Sequence, residues 1–158
     1  MKRKIGLCSV IIWLALSNPI SLFAQVDAKT SAVATIETSG ETMVYNTYCL
    51  IGTLNDGYWY NTWTKESTLN WLDEQIKSMS DAEIQYSSLL NSGFVTNTSD
   101  STYISDLSME CDYLKTEAYD LQNYINNPSD ETRQTYMTAR ENAWQWLNVI
   151  DYDFFGGN

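Results

Sequence analysis

Residues 101–126, with the sequence STYISDLSMECDYLKTEAYDLQNYIN, carry the most regular pattern in the chain. Apolar side chains recur there at alternating intervals of three and four residues; they are Ile104, Leu107, Cys111, Leu114, Ala118, Leu121 and Ile125. At 3.6 residues per turn, this spacing aligns all seven along one side of a helix. A helix with one apolar side must bury that side against other elements, so the pattern predicts a helical bundle.

Three further segments repeat this spacing: residues 29–56, 65–91 and 129–151. Short connectors separate the four segments, and short connectors favour antiparallel neighbours. No long stretch shows the alternation that a strand requires. The sequence therefore predicts an all-α protein, an up-down-up-down four-helix bundle that follows a cleaved N-terminal signal peptide.

The helix boundaries rest on local signals. Thr and Ser residues and Gly40 weaken the first segment, so its helix is expected to begin near Glu41. Asn55-Asp56-Gly57 predicts its end, with Gly57 in the left-handed position. Residues 80–83 have the form of a capping box, but the apolar spacing continues on both sides, which favours one continuous or gently kinked second helix. Residues 92–100 are expected to form a loop.

The N-terminus has the pattern of a secretory signal peptide. A basic run at residues 2–4 precedes a mostly apolar segment at residues 5–16, and the small residue Ala24 offers a cleavage point before Gln25. A retained anchor is the alternative, although the apolar run is short for a bilayer span. We therefore expect a signal peptide at residues 1–24, one domain at residues 25–158, and an exported protein, periplasmic or secreted.

The chain is strongly acidic. It has twenty acidic and nine basic residues, a formal charge of −11; cleavage would remove three basic residues and no acidic ones, giving −14. Nucleic acid is therefore a poor partner, because phosphate backbones attract basic surfaces. Solubility or a cationic partner suits this charge better. No second long apolar run occurs, so no membrane span is expected after cleavage.

Cys49 and Cys111 would be the only cysteines left after cleavage. In an oxidising compartment they could form a disulfide. The alternative is two free thiols, with Cys111 acting as a small apolar residue in the core. The sequence leaves both alternatives open.

The chain contains no histidine. This absence removes serine and cysteine triads that use an imidazole base, the zinc-protease motif, and the Glu-x-x-His pairs of di-iron bundles. No glycine-rich phosphate loop is present, and two cysteines make no convincing zinc site. We therefore expect no enzyme, no cofactor and no metal site; a hydrolase that uses carboxylates is a weak alternative.

Four acidic residues follow one stripe of the third helix: Asp106, Glu110, Glu117 and Asp120. Such a stripe could bind a cation or a basic protein surface. The simpler interpretation is a solvated acidic surface beside the apolar side of the helix. Glu83 and Arg140 instead fall at core positions, where they would either pair with each other or extend to the rim.

Residues 58–64 join the first two helices and have an unusual composition. Tyr58, Trp59, Tyr60 and Trp63 place four aromatic rings within six residues. They could form a surface that binds a glycan or a protein, because Tyr and Trp dominate such sites. Alternatively, they cap the open end of the bundle core.

Residues 139–144, with the sequence ARENAW, resemble the Ala-Gln-Arg-Ala-Trp type of helix in small exported lysozyme-inhibitor-like proteins. In those proteins an Arg-Asp pair and a cysteine usually follow, and neither follows here. The resemblance covers one and a half turns and implies no site residue.

The sequence thus predicts an exported acidic bundle that acts by binding a protein or glycan partner, which its charge suggests is cationic. The alternatives are a structural envelope or surface protein without a soluble ligand, and an inhibitor of a basic secreted protein such as a lysozyme.

Overall fold

The computed structural model describes the backbone of residues 22–155 and the side chains of residues 28–150. Across these residues the protein is all-helical, has no strand, and is consistent with a four-helix bundle. The helices are α1 (Leu22–Trp59), α2 (Lys65–Asn91), α3 (Thr98–Asn126) and α4 (Asp130–Phe155). None of the described helices combines the length and the apolar character that crossing a membrane requires.

Contacts between Cα atoms divide the chain into two units, Met1–Ile36 and Glu37–Asn158. In the first unit, the described residues are the helical residues 22–36 of α1. The second unit contains the rest of α1 and the other three helices. Nearly all of the predicted signal peptide lies outside the described residues, so the domain boundaries stay a prediction.

The apolar side of α3 forms the centre of the second unit. All seven of its predicted core residues are at most 1% exposed, which confirms the helical spacing as the basis of the core. Leu72 of α2, Leu54 of α1 and Leu147 of α4 are buried as well. Each of the four helices therefore contributes apolar side chains to the core, as a helix with one apolar side requires.

Side chains of α3 contact all three other helices. On α2, Asp73 contacts Gln122 and Glu83 contacts Lys115. On α4, Arg140 contacts Glu117 and Trp146 contacts Tyr113. On α1, Glu41 contacts Tyr103 and Trp59 contacts Tyr124. Consequently more than one side of α3 is covered by other helices.

The predicted start of α1 near Glu41 is wrong, because the helix already includes Leu22. Two threonines of this segment donate hydrogen bonds to carbonyl groups one turn back, Thr35 to Ser31 at 2.8 Å and Thr42 to Thr38 at 2.9 Å, so their hydroxyls are satisfied within the helix. Gly40 serves packing here: a Cβ atom would lie 2.6 Å from Oη of Tyr86 and 2.7 Å from Leu107. This glycine therefore allows close contact between α1 and its neighbours.

The predicted end of α1 at Gly57 is also wrong, because the helix continues to Trp59. The residue with the left-handed conformation is Asn61, whose φ is +58°. Asparagine tolerates this region better than most residues. Gly57 instead gives room to Trp63, whose Cδ1 would lie 2.9 Å from an added Cβ atom. The connector thus folds back against the last turn of α1.

The bounds of α2, residues 65–91, are confirmed, and the helix is continuous. The hydroxyl of Thr64 accepts a hydrogen bond from the amide of Ser67 and caps this helix. Ser80 does not act as a cap, because its hydroxyl donates to the carbonyl of Ile76 at 2.8 Å. The loop before α3 is shorter than expected, since Asn97 caps a helix that begins at Thr98.

Candidate functional site

The aromatic connector is partly exposed. Tyr60 is 79% exposed and Trp59 is 39% exposed, whereas Tyr58 and Trp63 are half-buried. Trp71, six residues beyond the start of α2, is 47% exposed, and its ring lies 6.5 Å from that of Trp63. The connector therefore combines rings that face solvent with rings that pack beneath them.

Trp59 is the outer member of a series of aromatic rings that leads into the core. Its ring centroid lies 4.8 Å from that of Tyr124, which in turn lies 6.4 Å from that of Tyr136 in a stacked arrangement. Tyr136 is 1% exposed. Tyr58 contacts the other side of Trp59, edge to face, at 4.9 Å. Trp59 is therefore packed between Tyr58 and Tyr124.

The prediction of an acidic surface is wrong for two of its four residues. Glu110 and Glu117 are 0% exposed, while Asp106 and Asp120 are half-buried. The physical reason is the position of α3, which other helices cover on more than one side. Its buried part therefore extends beyond the apolar side that the spacing identifies.

Glu117 is held by one charged partner. Its Oε1 accepts a hydrogen bond from Nη1 of Arg140 at 2.5 Å, and its Oε2 has no hydrogen-bond partner. Burial raises the pKa of Glu117 to about 7, although the Arg140 guanidinium opposes this shift. The pair is a buried salt bridge that joins α3 to α4.

Arg140 is also fixed by α1. Its guanidinium lies over the ring of Tyr48, 4.1 Å from the centroid, and Nη1 lies 3.4 Å from the carbonyl oxygen of the same residue. A Cβ atom at Gly52 would lie 2.5 Å from Nη2 of Arg140. The absence of a side chain at Gly52 therefore lets the guanidinium rest against the backbone of α1.

Glu110 has no partner for either carboxyl oxygen. Its pKa is raised to about 9, first by burial and then by the negative charge of Glu117. An unpaired carboxylate is very costly to bury, so the neutral form of Glu110 is favoured at neutral pH. Two buried carboxyl groups and one guanidinium thus form a cluster, named here the buried carboxyl cluster (Glu110, Glu117 and Arg140).

The alternative in which Glu83 pairs with Arg140 is wrong. Glu83 instead accepts a hydrogen bond from Lys115, whose Nζ also lies 3.1 Å from Oδ1 of Asp112. The heptad spacing identified both residues as lying near the core, but it does not specify which helix faces each of them. Glu83 belongs to the contact between α2 and α3, and Arg140 to the contact between α4 and α3.

The disulfide alternative is contradicted as well, because Cys49 and Cys111 are both free thiols. Cys111 is buried in the core, whereas Cys49 is exposed on α1. Burial raises the pKa of Cys111 to about 12, so its thiol is neutral. The interpretation of Cys111 as a small apolar core residue agrees with this environment.

A shallow groove of about 490 Å³ runs between α3 and α4 on the outside of the bundle. Asp120 and Glu131 line it, together with hydroxyl and amide side chains. A second groove, between α2 and α3, contains Glu83 and Asp112, and Lys115 pairs with both. Within residues 28–150, no group of three or more acidic or cysteine side chains is placed to hold a metal ion.

Sequence reasoning missed the buried carboxyl cluster, although a signal for it exists. Tyr103, Glu110, Glu117 and Tyr124 recur every seven residues, as do the core residues beside them. A second heptad series next to the apolar one indicates a helix that is covered on two sides. Its aromatic members made this series a reasonable candidate for burial.

Comparisons with family models, with curated proteins and with solved structures find no match for this chain. The segment at residues 139–144 has packing roles in this fold. Ala139 and Ala143 are buried and Arg140 belongs to the buried carboxyl cluster, which leaves Trp144 as its exposed aromatic residue.

Proposed function

We propose that this protein is an exported binding protein, periplasmic or secreted, that recognises its partner through the aromatic connector rather than by catalysis. In this proposal a signal peptide at residues 1–24 is cleaved, and the remaining chain forms an up-down-up-down bundle. The observation that carries the proposal is the exposure of Trp59 and Tyr60 at one end of the helices. Large aromatic residues that face solvent together are typical of binding sites.

The packing of the connector supports recognition rather than a loose loop. Trp59 is fixed between Tyr58 and Tyr124, and Trp63 rests against Gly57. A surface whose side chains are already ordered loses less conformational entropy when it binds a partner. Tyr58 and Trp63 therefore act as supports in this proposal, and Trp59, Tyr60 and Trp71 supply the contact area.

Charge suggests a cationic partner. Asp56 lies on the last turns of α1, Glu66 on the first turn of α2, and Asp120 one turn before Tyr124 on α3. Carboxylates near exposed aromatic rings favour lysine and arginine side chains, which also stack on Trp and Tyr. A protein partner is therefore preferred over a neutral glycan.

The test is retention of a partner from the native compartment by the immobilised mature protein and by single-residue variants. Trp59→Ala and Tyr60→Ala are expected to lose the partner, and added salt is expected to weaken binding to the unsubstituted protein. Trp144→Ala is the matched control, because Trp144 is 42% exposed but lies on α4, with its ring 5.6 Å from that of Tyr48.

Equal retention by all three variants would exclude the connector as the contact surface. A structural envelope protein is the other candidate. In that case the protein would fractionate with the envelope, and neither connector substitution would release it. Binding of a neutral polysaccharide that salt leaves unchanged would favour a glycan ligand and contradict the cationic partner.

A further inference from the structure

The buried carboxyl cluster contains more potential negative charge than it can balance. Glu110 and Glu117 are both 0% exposed and lie two turns apart on α3. Arg140 donates to one oxygen of Glu117, which leaves three carboxyl oxygens without a donor. One guanidinium balances one carboxylate, so the cluster is neutral only while one of the two glutamates carries a proton.

Titratable groups on all four helices interact electrostatically with the cluster or with residues beside it. Tyr48, Tyr136 and Cys111 interact with the cluster itself, and the groups that interact with these three are Asp56 on α1, Glu83 and Tyr86 on α2, Asp112 and Lys115 on α3, and Glu141 on α4. Lys115 is the one cation in this set, and it pairs with Glu83 and Asp112. Arg140 is therefore the cation of the cluster, and its hydrogen bond to a carboxyl group is to Glu117.

The position of Glu110 on α3 shows which contacts its charge would affect. Seven residues before it, the hydroxyl of Tyr103 lies 3.4 Å from Oε2 of Glu41 on α1. Seven residues after it, Glu117 pairs with Arg140 of α4. Since seven residues make two turns, Glu110 lies between these contacts, on the side of α3 that faces α1 and α4. The contact with α2, through Lys115 and Gln122, lies on another side.

We propose that the buried carboxyl cluster is a pH-sensitive switch, in which the proton on the unpartnered Glu110 carboxyl keeps α3 packed against α1 and α4. Loss of that proton leaves an unbalanced negative charge in the core and separates α3 from these two helices, while α2 stays packed on α3. The switch does not depend on the proposed binding function, because it concerns only the interior of the second unit.

The direction of the pH dependence follows from the chemistry of buried acids. The pKa values of about 9 for Glu110 and about 7 for Glu117 lie above the ordinary value of 4.5. A carboxyl group with a raised pKa binds its proton more tightly in the closed state, in which α3 is packed against α1 and α4. It therefore stabilises the closed state most below pH 4.5, and this stabilisation declines as the pH rises towards about 9. The switch therefore opens on the alkaline side.

Hydrogen exchange measured by mass spectrometry tests the switch on the full chain. The unsubstituted protein and Glu110→Gln are compared at the same pH, so that the intrinsic exchange rates cancel. At about pH 6 the two proteins are expected to differ little, and the difference should widen as the pH rises towards 9. At about pH 9, peptides from residues 41–57 and 136–147 are expected to exchange about tenfold faster in the unsubstituted protein, since opening weakens protection in these helices.

Peptides from α2, at residues 72–86, are expected to exchange equally in both proteins at either pH. Asp81→Asn is the control, because it removes an exposed charge from α2 without touching the cluster, and it should match the unsubstituted protein. Equal exchange of the unsubstituted protein and Glu110→Gln at every pH would overturn the proposal. Equal acceleration of all four helices would overturn it too, because that result describes unfolding of the whole chain.

A second measurement remains decisive if Glu110→Gln fails to fold. For the unsubstituted protein, the exchange rate of each peptide is first divided by the rate of the same peptide in its unstructured form. The ratio of this corrected rate for residues 41–57 to that for residues 72–86 should rise about tenfold between pH 6 and pH 9. A ratio that stays constant over this interval would overturn the proposal.

Discussion

The two ion pairs of α3 lie in different surroundings. Lys115 pairs with Glu83, which is 37% exposed, and with the exposed Asp112. Arg140 pairs with Glu117, which is 0% exposed. Both pairs join α3 to a neighbouring helix. Their cations are both partly buried, Lys115 at 16% and Arg140 at 25% exposed, so the main difference between the pairs is the exposure of the acidic partner.

That difference decides how much each pair contributes to stability. In a pair whose acid is partly exposed, that acid stays solvated with or without its partner, so the net contribution of the pair is small, about 0–1 kcal/mol. A buried pair has lost its solvation, and removal of one partner leaves a charge with no compensation, which costs about 3–5 kcal/mol. Acidic residues on α3 thus have two physical roles. Exposed ones such as Asp112 favour solubility, and the buried Glu117 fixes the contact between α3 and α4.

The largest expected effect is that of Arg140→Met. It removes the partner of Glu117 and should lower the free energy of unfolding at about pH 8 by about 3–5 kcal/mol. At about pH 5 the loss should be smaller, because the pKa of Glu117 is about 7 and its carboxyl is then neutral. Urea denaturation at both pH values measures this; Arg133→Met, at an exposed position of α4, is the control.

Glu110→Leu should stabilise the protein. Its side chain has no hydrogen-bond partner to lose, so the free energy of unfolding at about pH 8 should rise by about 1–3 kcal/mol. The gain should increase with pH from about 4.5 to about 9, the interval between the ordinary and the raised pKa. Urea denaturation curves over this pH range measure the gain in the free energy of unfolding. A gain that stays constant with pH would contradict the role of ionisation. Glu74→Leu, on the exposed side of α2, is the control.

Gly52→Ala should destabilise by about 1–2 kcal/mol, although alanine favours helices, because its Cβ atom would displace the Arg140 guanidinium. The same substitution in the Arg140→Met background should be neutral or stabilising, since the helix propensity of alanine then acts alone. Thermal or urea denaturation of the unsubstituted protein, the two single variants and the double variant gives the coupling energy between positions 52 and 140. Additive effects would show that Gly52 does not position Arg140.

The smallest expected effect is that of Glu83→Gln, which breaks the pair between the partly exposed Glu83 and Lys115. The free energy of unfolding should change by no more than about 1 kcal/mol, and high salt should reduce the change further. Urea denaturation at low and high salt measures both. A loss as large as that of Arg140→Met would remove the distinction between the two pairs.

The helical spacing was sufficient to predict the core. The seven apolar positions of α3 and the bounds of α2 follow from periodicity alone, because burial of one side of a helix repeats with its turns. The start of α1 did not follow. Its threonines weaken helix propensity, but tertiary contacts such as that of Gly40 with Leu107 outweigh propensity, and sequence alone does not show those contacts.

Pattern reasoning missed the buried carboxyl cluster for a related reason. Charged residues next to an apolar stripe normally face solvent, and this expectation is right for Asp112. It is wrong for Glu110 and Glu117, because α1 and α4 also cover that side of α3. Which charged residues meet depends on the axial positions of the helices, and periodicity within one helix carries no information about those positions.

The two thiols in the described residues differ in the same way as the two ion pairs. A maleimide reagent would modify Cys49 readily and would reach Cys111 only when the core opens, since one sulfur lies outside the core and the other within it. For a protein prepared as residues 25–158, the mass of the modified product would then report the fraction of folded molecules, with one adduct for a closed core and two for an open one. Oxidants should show the same order of attack, so that damage begins on the outer side of α1 and leaves the interior of the bundle intact.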